Sequence, residues 1–564
     1  AKALSGLSDK EWQSLLSLTQ KVAMELKNLF AASSITLWDG KIELALGKYH
    51  KEEREIILVD SIGPDELRLT KGDKQLSKEV IRQYYRNSDW YNKLDEAKAQ
   101  HGEAFKDFIS PPPALLQDFK LQVESMYQEL ADIVSNADKN KLNVLILGSG
   151  GREHALAWRT AQDSSVEKVY VWPGNDGIFG EKISTLSEDW NRDNFKSILN
   201  KHQINFVIPG AEQFMYQGVA DWCEEFKVDC FGPSKKAAQL EGSKLFAKNL
   251  MIRAGVPTAP FIDLTVAFKR NMDEALSLVK EFKCPVIKIS GPALGKGVFV
   301  CKDSEEAKEV LTQLKEFPVS GIESGLFVEE GLTGKEVSVF FACNGTQYSY
   351  LGSAQDYKRL LDGDLGPNTG GMGTISPVPW ANEAFIKEVE NRFLLPTLNT
   401  MVSEGNPFKG VLFLGLMVEG KEMNLLEYNV RFGDPETQVL LPLIDGDFSR
   451  LLFNMTKGNS GQVSLKPLKA VHIVKAARGY PGTFGGSVEK GKTIKHLPFP
   501  TSNSHLFYAG VKKNGNDLIT NGGRVLGVTT LAKTLEQALS NAYETIGNVS
   551  FEGEQFRTDI GRNL

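Results

Sequence analysis

No stretch of this chain is apolar for long enough to cross a bilayer, and no secretory leader is read at its start. Dense basic clusters are missing too. The formal charge is −6, and Lys and Arg are nowhere grouped in a way that suits a nucleic-acid surface. Small anions such as phosphates would therefore have to be held locally, by glycine loops and single cations. Cysteine is scarce: Cys223, Cys230, Cys284, Cys301 and Cys343 are odd in number and lack metal-ligand spacing. They read as buried free thiols in a reducing cytoplasm, not as disulfides or zinc ligands. Histidines are few and form no paired motif, and there is no fixed-period repeat or low-complexity tract. What remains is an ordinary globular composition, 41% hydrophobic over 564 residues, enough for several domains.

Residues 1–136 read as helix, strands and more helix. Strand character falls at Ile35–Trp38, Ile42–Ala45 and Glu55–Val59, and helical periodicity at Lys21–Phe30 and Leu116–Val134. Pro111-Pro112-Pro113 is expected to lead into the last helix, and the polar run 137–141 makes a linker. After it the style changes. Val144–Leu147, Val169–Trp172 and Phe206–Ile208 are short apolar strands separated by helical segments, which predicts a small parallel α/β domain over 142–241. Mixed strands and glycine loops rich in Lys, Glu and Asp fill 242–445, and a strand-rich segment, 446–564, closes the chain.

Three features carry chemistry. Gly148-Ser149-Gly150-Gly151 lies between a strand and the helical Arg152–Thr160, where free N–H groups and a helix dipole face an anion. A dinucleotide site would need an acid after the second strand; the chain has Pro173-Gly174-Asn175-Asp176-Gly177 instead. A purely structural turn stays open. Second, Lys244 and Lys288 read as lone cations on apolar strands, and Lys288 would be awkward to bury without an anion. Third, Glu427 and Asn429 alternate along one strand and so face the same way, offering two oxygens to a hard cation such as Mg²⁺. Arg431 follows as a planar donor fork, and Asp434 either fixes the next turn or holds substrate.

The longer motifs are more specific. Gly148-x-Gly150-Gly151-Arg152-Glu153-His154, Ser243-Lys244-x-Phe246-Ala247-Lys248, Gly295-Lys296-Gly297-Val298 and Gln355-Asp356-x-Lys358-Arg359 occur in that order. Asp362-Gly363-Asp364-x-Gly366-Pro367-Asn368-Thr369-Gly370-Gly371-Met372-Gly373, Glu427-x-Asn429-x-Arg431-Phe432-Gly433-Asp434-Pro435-Glu436 and Asp559-Ile560-Gly561 follow. From Leu142 onward the chain resembles the phosphoribosylamine–glycine ligases. The resemblance implies an ATP-grasp core whose residues 258–330 form a mobile nucleotide lid. It implies ATP, glycine and 5-phosphoribosylamine as substrates, with Mg²⁺ or Mn²⁺. It places ATP at Lys244, Lys288, Gly295, Lys296, Gly297, Glu329, Glu330 and Glu336. Metal falls to Glu427 and Asn429. The other substrates fall to Gly150, Gly151, Asn175, Asp356, Asn368, Thr369, Gly370 and Arg431, with Arg431, Lys288 and Asp434 catalytic. Gln213, Phe214, Ser290, Pro292 and Gly331 depart from the family's usual residues.

Residues 1–136 resemble the carboxy-terminal part of a SAICAR synthase. The carriers are Asp39-x-Lys41-x-Glu43, Ile57-Leu58-Val59-Asp60, Gly63-Pro64-Asp65-x-x-Arg68 and Ser77-Lys78-x-x-x-Arg82. In that family the matches of Glu43 and Asp60 serve metal and nucleotide, and those of Lys41, Asp65 and Arg68 lie near substrate. The phosphate-cradling lobe is not among these residues, so the chain is expected to be part of a bifunctional fusion whose amino-terminal lobe is absent here and to lack SAICAR synthase activity as given; a folded remnant or a homo-oligomerisation module is the alternative. The expected architecture is therefore multidomain, α/β and α+β: a partial SAICAR-synthase-like α+β domain, a small parallel α/β domain, an ATP-grasp core and a small carboxy-terminal domain.

Overall fold

The computed structural model describes residues 6–31, 35–50, 53–59, 66–72, 74–137, 141–291, 297–459, 461–482, 487–497 and 503–562. Contacts divide the chain into two units, Ala1–Lys141 and Leu142–Leu564.

In the first unit Thr36–Gly40, Leu67–Lys71 and Lys74–Gln75 form an antiparallel sheet, and Leu44–His50 pairs with Glu53–Leu58 as a separate hairpin. Helices Asp9–Ala31, Glu79–Arg86, Asp89–His101 and Gln117–Ala137 accompany them. Phe30, Ile35, Leu67, Leu69, Leu76, Val123, Met126 and Leu130 make the core. The last helix starts at Gln117, later than the triple proline suggests. Each proline removes a donor and holds its predecessor extended, so helix begins only once that run has passed.

The second unit opens with a five-stranded parallel sheet in the order Asp229–Cys230, Phe206–Pro209, Leu142–Gly148, Val166–Pro173, Ile183–Thr185. Its central strands are buried on both faces, which is why they read as unbroken apolar runs. Strand order reverses between Leu142–Gly148 and Phe206–Pro209, so their carboxyl ends open a crevice. A four-stranded antiparallel sheet follows, ordered Phe261–Asp263, Leu326–Glu330, Pro285–Ile289, Val298–Val300. It has its own core, built from Leu264, Phe268, Ile287, Ile289, Leu311 and Val328 among others.

The third layer is a nine-stranded sheet. It runs Glu422–Asn429, Lys409–Glu419, Lys335–Asn344, Gln347–Asp356, Gly373–Ser376, Lys469–Ala477, Arg524–Ala532, Ser504–Tyr508, with Glu554–Gln555 also paired to Lys469–Ala477. The carboxy-terminal strands thus continue the sheet of the preceding segment, joined where Gly373–Ser376 pairs with Lys469–Ala477.

Candidate active site

At the crevice, Gly148 adopts φ +136° and lets the chain turn into helix Gly151–Ala161. Glu153 folds back to cap that helix: its carboxylate accepts from Gly150 N–H at 2.6 Å and from Arg152 Nε at 2.6 Å. A Cβ on Gly210 would lie 2.3 Å from Glu153 Oε1, so the neighbouring strand end must be bare. Asn175 Nδ2 donates to Ser149 O at 2.7 Å and to Tyr508 O at 3.3 Å, tying the second turn to the first and to the large sheet. Arg152 reaches Phe432 O at 3.1 Å, which brings the 427–436 motif against the crevice.

Between the four-stranded sheet and helix Lys244–Ala254 lies a buried ion triad. Glu329 is 3% exposed; its carboxylate bridges Lys288 and, at 2.6 Å, Lys248. Lys248 also donates to Thr258 Oγ1 at 2.6 Å. Desolvation pulls the Lys248 ammonium below its usual range, and Glu329 opposes this. Lys244 Nζ donates to Ile289 O at 3.2 Å, and burial lowers its ammonium against the pull of Glu427. Ser290, one of the departures from the family pattern, is used here: its hydroxyl meets Ser243 Oγ at 3.1 Å and accepts from Leu245 N–H at 3.2 Å. Gly331 is equally local, because a Cβ there would sit 2.9 Å from Cys284 O.

On the large sheet, Glu427 and Asn429 share a face, Asn429 Nδ2 lying 3.5 Å from Glu427 Oε1. Burial raises the Glu427 carboxyl, but Lys358, Lys288 and Lys244 outweigh it and hold it below the usual carboxylate range. Lys358 also pairs with Glu336. Desolvation pulls the Lys358 ammonium down, and Glu336, Glu427 and Asp356 more than compensate, leaving it above the ordinary lysine range. Arg431 Nη2 donates to Asn429 Oδ1 at 3.0 Å and pairs with Glu241 at 2.9 Å; Glu212 lies 3.6 Å from Nε. Burial raises Glu241, opposed by Arg431. Asp434 pairs with Arg524 at 3.0 Å and accepts from Gln438 at 2.8 Å. Burial lifts Asp434, and Arg524 and Arg152 bring it below its usual value. Asp356 is held well above the carboxylate range by burial and then by Glu436.

Four family models match the chain. Those of phosphoribosylglycinamide synthetase cover its N domain at 142–241, its ATP-grasp (A) domain at 242–437 and its C domain at 470–563. A SAICAR synthetase model matches 1–97. The phosphoribosylamine–glycine ligase of Halalkalibacterium halodurans is 38% identical over 422 residues, which is 74% of this chain and 96% of that protein. That of Rhizobium meliloti is 39% identical over 74% of this chain and 98% of its own. The chain belongs to the phosphoribosylamine–glycine ligase family. The crystal structure of the Thermotoga maritima ligase superposes with TM-score 0.65 at 35% identity, covering 74% of this chain and all of that one. The unit Leu142–Leu564 is thus an ATP-grasp, ATP-dependent ligase of purine biosynthesis, and a SAICAR-synthetase-like portion precedes it.

Within this ligase fold the residues singled out by sequence fall into groups. Lys244, Lys288, Glu329, Glu336, Glu427, Asn429 and Arg431 line up from the four-stranded sheet to the edge of the large one. Gly150, Gly151, Asn175 and Asp434 gather at the crevice, where Cβ atoms on the two glycines would meet Asp434 Oδ2 at 3.3 Å and Gln438 Nε2 at 2.8 Å. Asp356, Thr369 and Gly370 stand beside Arg524 and Lys358, while Asn368 is exposed in a hairpin opposite Arg359. Glu330 points elsewhere: its carboxylate accepts from Lys283 and Cys284 N–H, each at 3.1 Å. Lys244 lies in the first turn of a helix and not on a strand, because Ser243 caps that helix by accepting from Phe246 N–H. Gly297 is described, its carbonyl accepting from Ile289 N–H at 2.8 Å, whereas Gly295, Lys296 and Pro292 lie outside the described residues. Sequence reasoning did not single out Lys248, Lys358, Glu212, Glu241 or Arg524. Lys248 and Lys358 do stand inside the quoted motifs, and Arg524 inside the matching run Gly522-Gly523-Arg524-Val525, so the signal was their motif membership.

In the first unit, Lys41 pairs with Glu43, and Arg68 with Asp39, all exposed. Asp60 and Asp65 lie outside the described residues.

Proposed function

We propose that the ligase unit joins glycine to 5-phosphoribosylamine through glycyl phosphate, and that the groups along the path from Glu329 to Arg431 carry the reaction. The carrying observation is the pair Glu427 and Asn429 at the end of one strand, with Lys244, Lys288 and Lys358 acting on Glu427 and Arg431, just past the strand, donating to Asn429. A glycine carboxylate oxygen attacks the γ-phosphorus of ATP, and the bond to the ADP oxygen breaks. The amine of phosphoribosylamine then attacks the glycyl carbonyl, phosphate leaves, and the amine proton is lost as the amide forms.

Lys244 and Lys288 would neutralise nucleotide phosphates, with Glu329 holding Lys288 in place until it is needed. Glu336 would take the ribose and Gly295-Lys296-Gly297 would cover the phosphates. Glu427 and Asn429 suit Mg²⁺ or Mn²⁺: one ionised carboxylate and one amide oxygen, both hard donors. When bound, such an ion supplies charge neutralisation on the leaving ADP. Arg431 would hold the glycine carboxylate, which would compete for its guanidinium with Glu241 and Glu212. Gly150, Gly151, Asn175, Asp356, Thr369, Gly370 and Asp434 would receive phosphoribosylamine, and Asn368 extends that loop. The segments 142–241, 242–445 with a lid at 258–330, and 446–564 would act as its working parts, in the cytoplasm. No helix among the described residues is long and apolar enough to cross a membrane.

The test is ADP release with glycine and freshly generated phosphoribosylamine together, against each alone and against formate in place of glycine. Release is expected only with the full set. Equal release with formate, or none with the full set, would overturn the assignment.

A further inference from the structure

A hairpin, Arg359–Leu361 with Leu365–Asn368, stands out of the large sheet between strands Gln347–Asp356 and Gly373–Ser376. Its base lies at the candidate active site. Thr369 closes that base by donating from both N–H and Oγ1 to Lys358 O, each at 2.8 Å. Beyond it Gly370 N–H donates to Tyr480 OH at 2.9 Å, and its carbonyl accepts from Arg524 at 2.6 Å.

The tip, Asp362-Gly363-Asp364, turns through positive φ at Gly363 and Asp364 and is exposed. It is held from outside, by residues nearly two hundred positions away in sequence. Thr558 N–H donates to Asp362 Oδ1 at 2.8 Å, and Gly363 N–H to Asp559 Oδ2 at 2.8 Å. Arg557 is 1% exposed. Its Nε and Nη2 grip Asp559 at 2.7 Å each, and its Nη1 reaches Asp364 Oδ1 at 2.7 Å and Arg359 O at 3.2 Å. Its guanidinium also lies 5.1 Å from the ring centre of Tyr357, the residue between Asp356 and Lys358. Tyr357 OH in turn accepts from Gly561 N–H at 2.9 Å. A buried guanidinium committed to two carboxylates and a carbonyl fixes their mutual geometry in a way a lysine would not.

We propose that Arg557 is a positioning residue for the ligation: it latches the hairpin by its tip, and the hairpin sets Lys358 and the Gly370 turn at the site. This rests on the reading above, in which Lys358 backs Glu336 and Glu427 on the nucleotide side. A latch of this kind explains why the carboxy-terminal Asp559-Ile560-Gly561 motif accompanies the hairpin motif although neither adjoins the other in sequence.

Asp364→Asn removes one anchor at an exposed position and leaves the fold's interior intact; Arg557→Lys keeps the charge and loses the fork. For each variant kcat, KM for ATP and KM for phosphoribosylamine are measured, with melting temperature and hydrogen exchange over 359–371. Both should raise the KM for ATP about tenfold with kcat held within about twofold, the size expected for losing a charge-assisted contact that orients a binding group. Exchange over 359–371 should quicken. In a Lys358→Met background Asp364→Asn should add nothing further. Unchanged KM in Asp364→Asn despite faster exchange, or full additivity with Lys358→Met, would overturn the latch. If Lys358→Met and Asp364→Asn together shift the KM for phosphoribosylamine instead, the latch stands and the nucleotide-side role of Lys358 falls.

Discussion

Glu427 concentrates the site's electrostatics in one side chain. Three lysines keep it ionised against burial, and Asn429 stands beside it. Glu427→Gln preserves shape while removing the charge that those lysines face and turning one acceptor oxygen into a donor. Loss of such preorganised charge is worth about 3 kcal/mol, so kcat at saturating Mg²⁺ should drop on the order of 100-fold. Wild-type turnover in that variant would remove Glu427 from the reaction. The alternation of Glu427 and Asn429 was legible because a strand shows every second side chain to one face, and Arg431 falls just past the end of that strand. Lys288 was half legible. Its apolar surroundings demanded an anion, but the anion it meets in this structure is Glu329, on the adjacent strand two residues beyond its partner Phe327 and forty-one positions on in sequence. Nothing local could name Lys248 as the second partner, because a lysine four residues after Lys244 declares its face only once helix and sheet are packed.

Elements were read well where one period dominated. The parallel strands from Val144, Val169 and Phe206 are buried on both sides and appear as predicted. Lys244 was misread as strand because the apolar residues near it suggested burial, whereas Ser243 makes a helix start there. The carboxy-terminal strands could not be assigned to the core sheet from sequence, since antiparallel partners such as Gly373–Ser376 and Lys469–Ala477 are nearly a hundred positions apart. The joint itself is tight. Gly371 has φ +107°, and a Cβ there would lie 2.5 Å from Asp356 Oδ1 and from Pro435 Cδ. Gly371→Ala should therefore strain the backbone by about 1–3 kcal/mol and push Asp356 aside. Urea unfolding is expected to show the loss, and ligase activity to fall more than stability alone explains. A variant with full activity and an unchanged midpoint would show that the Asp356 side chain is free to move.

At the scale of the whole molecule, the ligase unit seals neutral histidines into its packing. Burial holds His154 at about 4, with Tyr508 N–H donating to its Nδ1, and His472 at about 3, beside Thr529. Both values lie below that of an exposed histidine, so the unfolded chain takes up protons that the folded one refuses. Stability from these groups is whole above pH ~6.5 and declines as pH falls toward the folded values, by roughly 2 kcal/mol per histidine at pH 5. His472→Gln should melt closer to the wild type at pH 5 than at pH 7.5; a gap that stays constant would refute the sign. The amino-terminal unit behaves differently, because its recognisable groups are on the surface. Lys41 and Glu43 are paired at 72% and 49% exposure, Arg68 and Asp39 at 61% and 53%. Exposed pairs of this kind contribute about 0–1 kcal/mol and hold no fixed geometry. Positioning in a working site supplies about 7–11 kcal/mol of the barrier, from groups that converge in a concave, water-excluding pocket. Lys41 with Glu43 and Arg68 with Asp39 are instead exposed pairs. This chain should therefore make glycinamide ribonucleotide yet form no succinocarboxamide product from carboxyaminoimidazole ribonucleotide, aspartate and ATP. Both assays are run on one preparation, so that ligase turnover certifies the protein; succinocarboxamide formation above the enzyme-free rate would mean that the exposed pairs close into a site once substrate is bound.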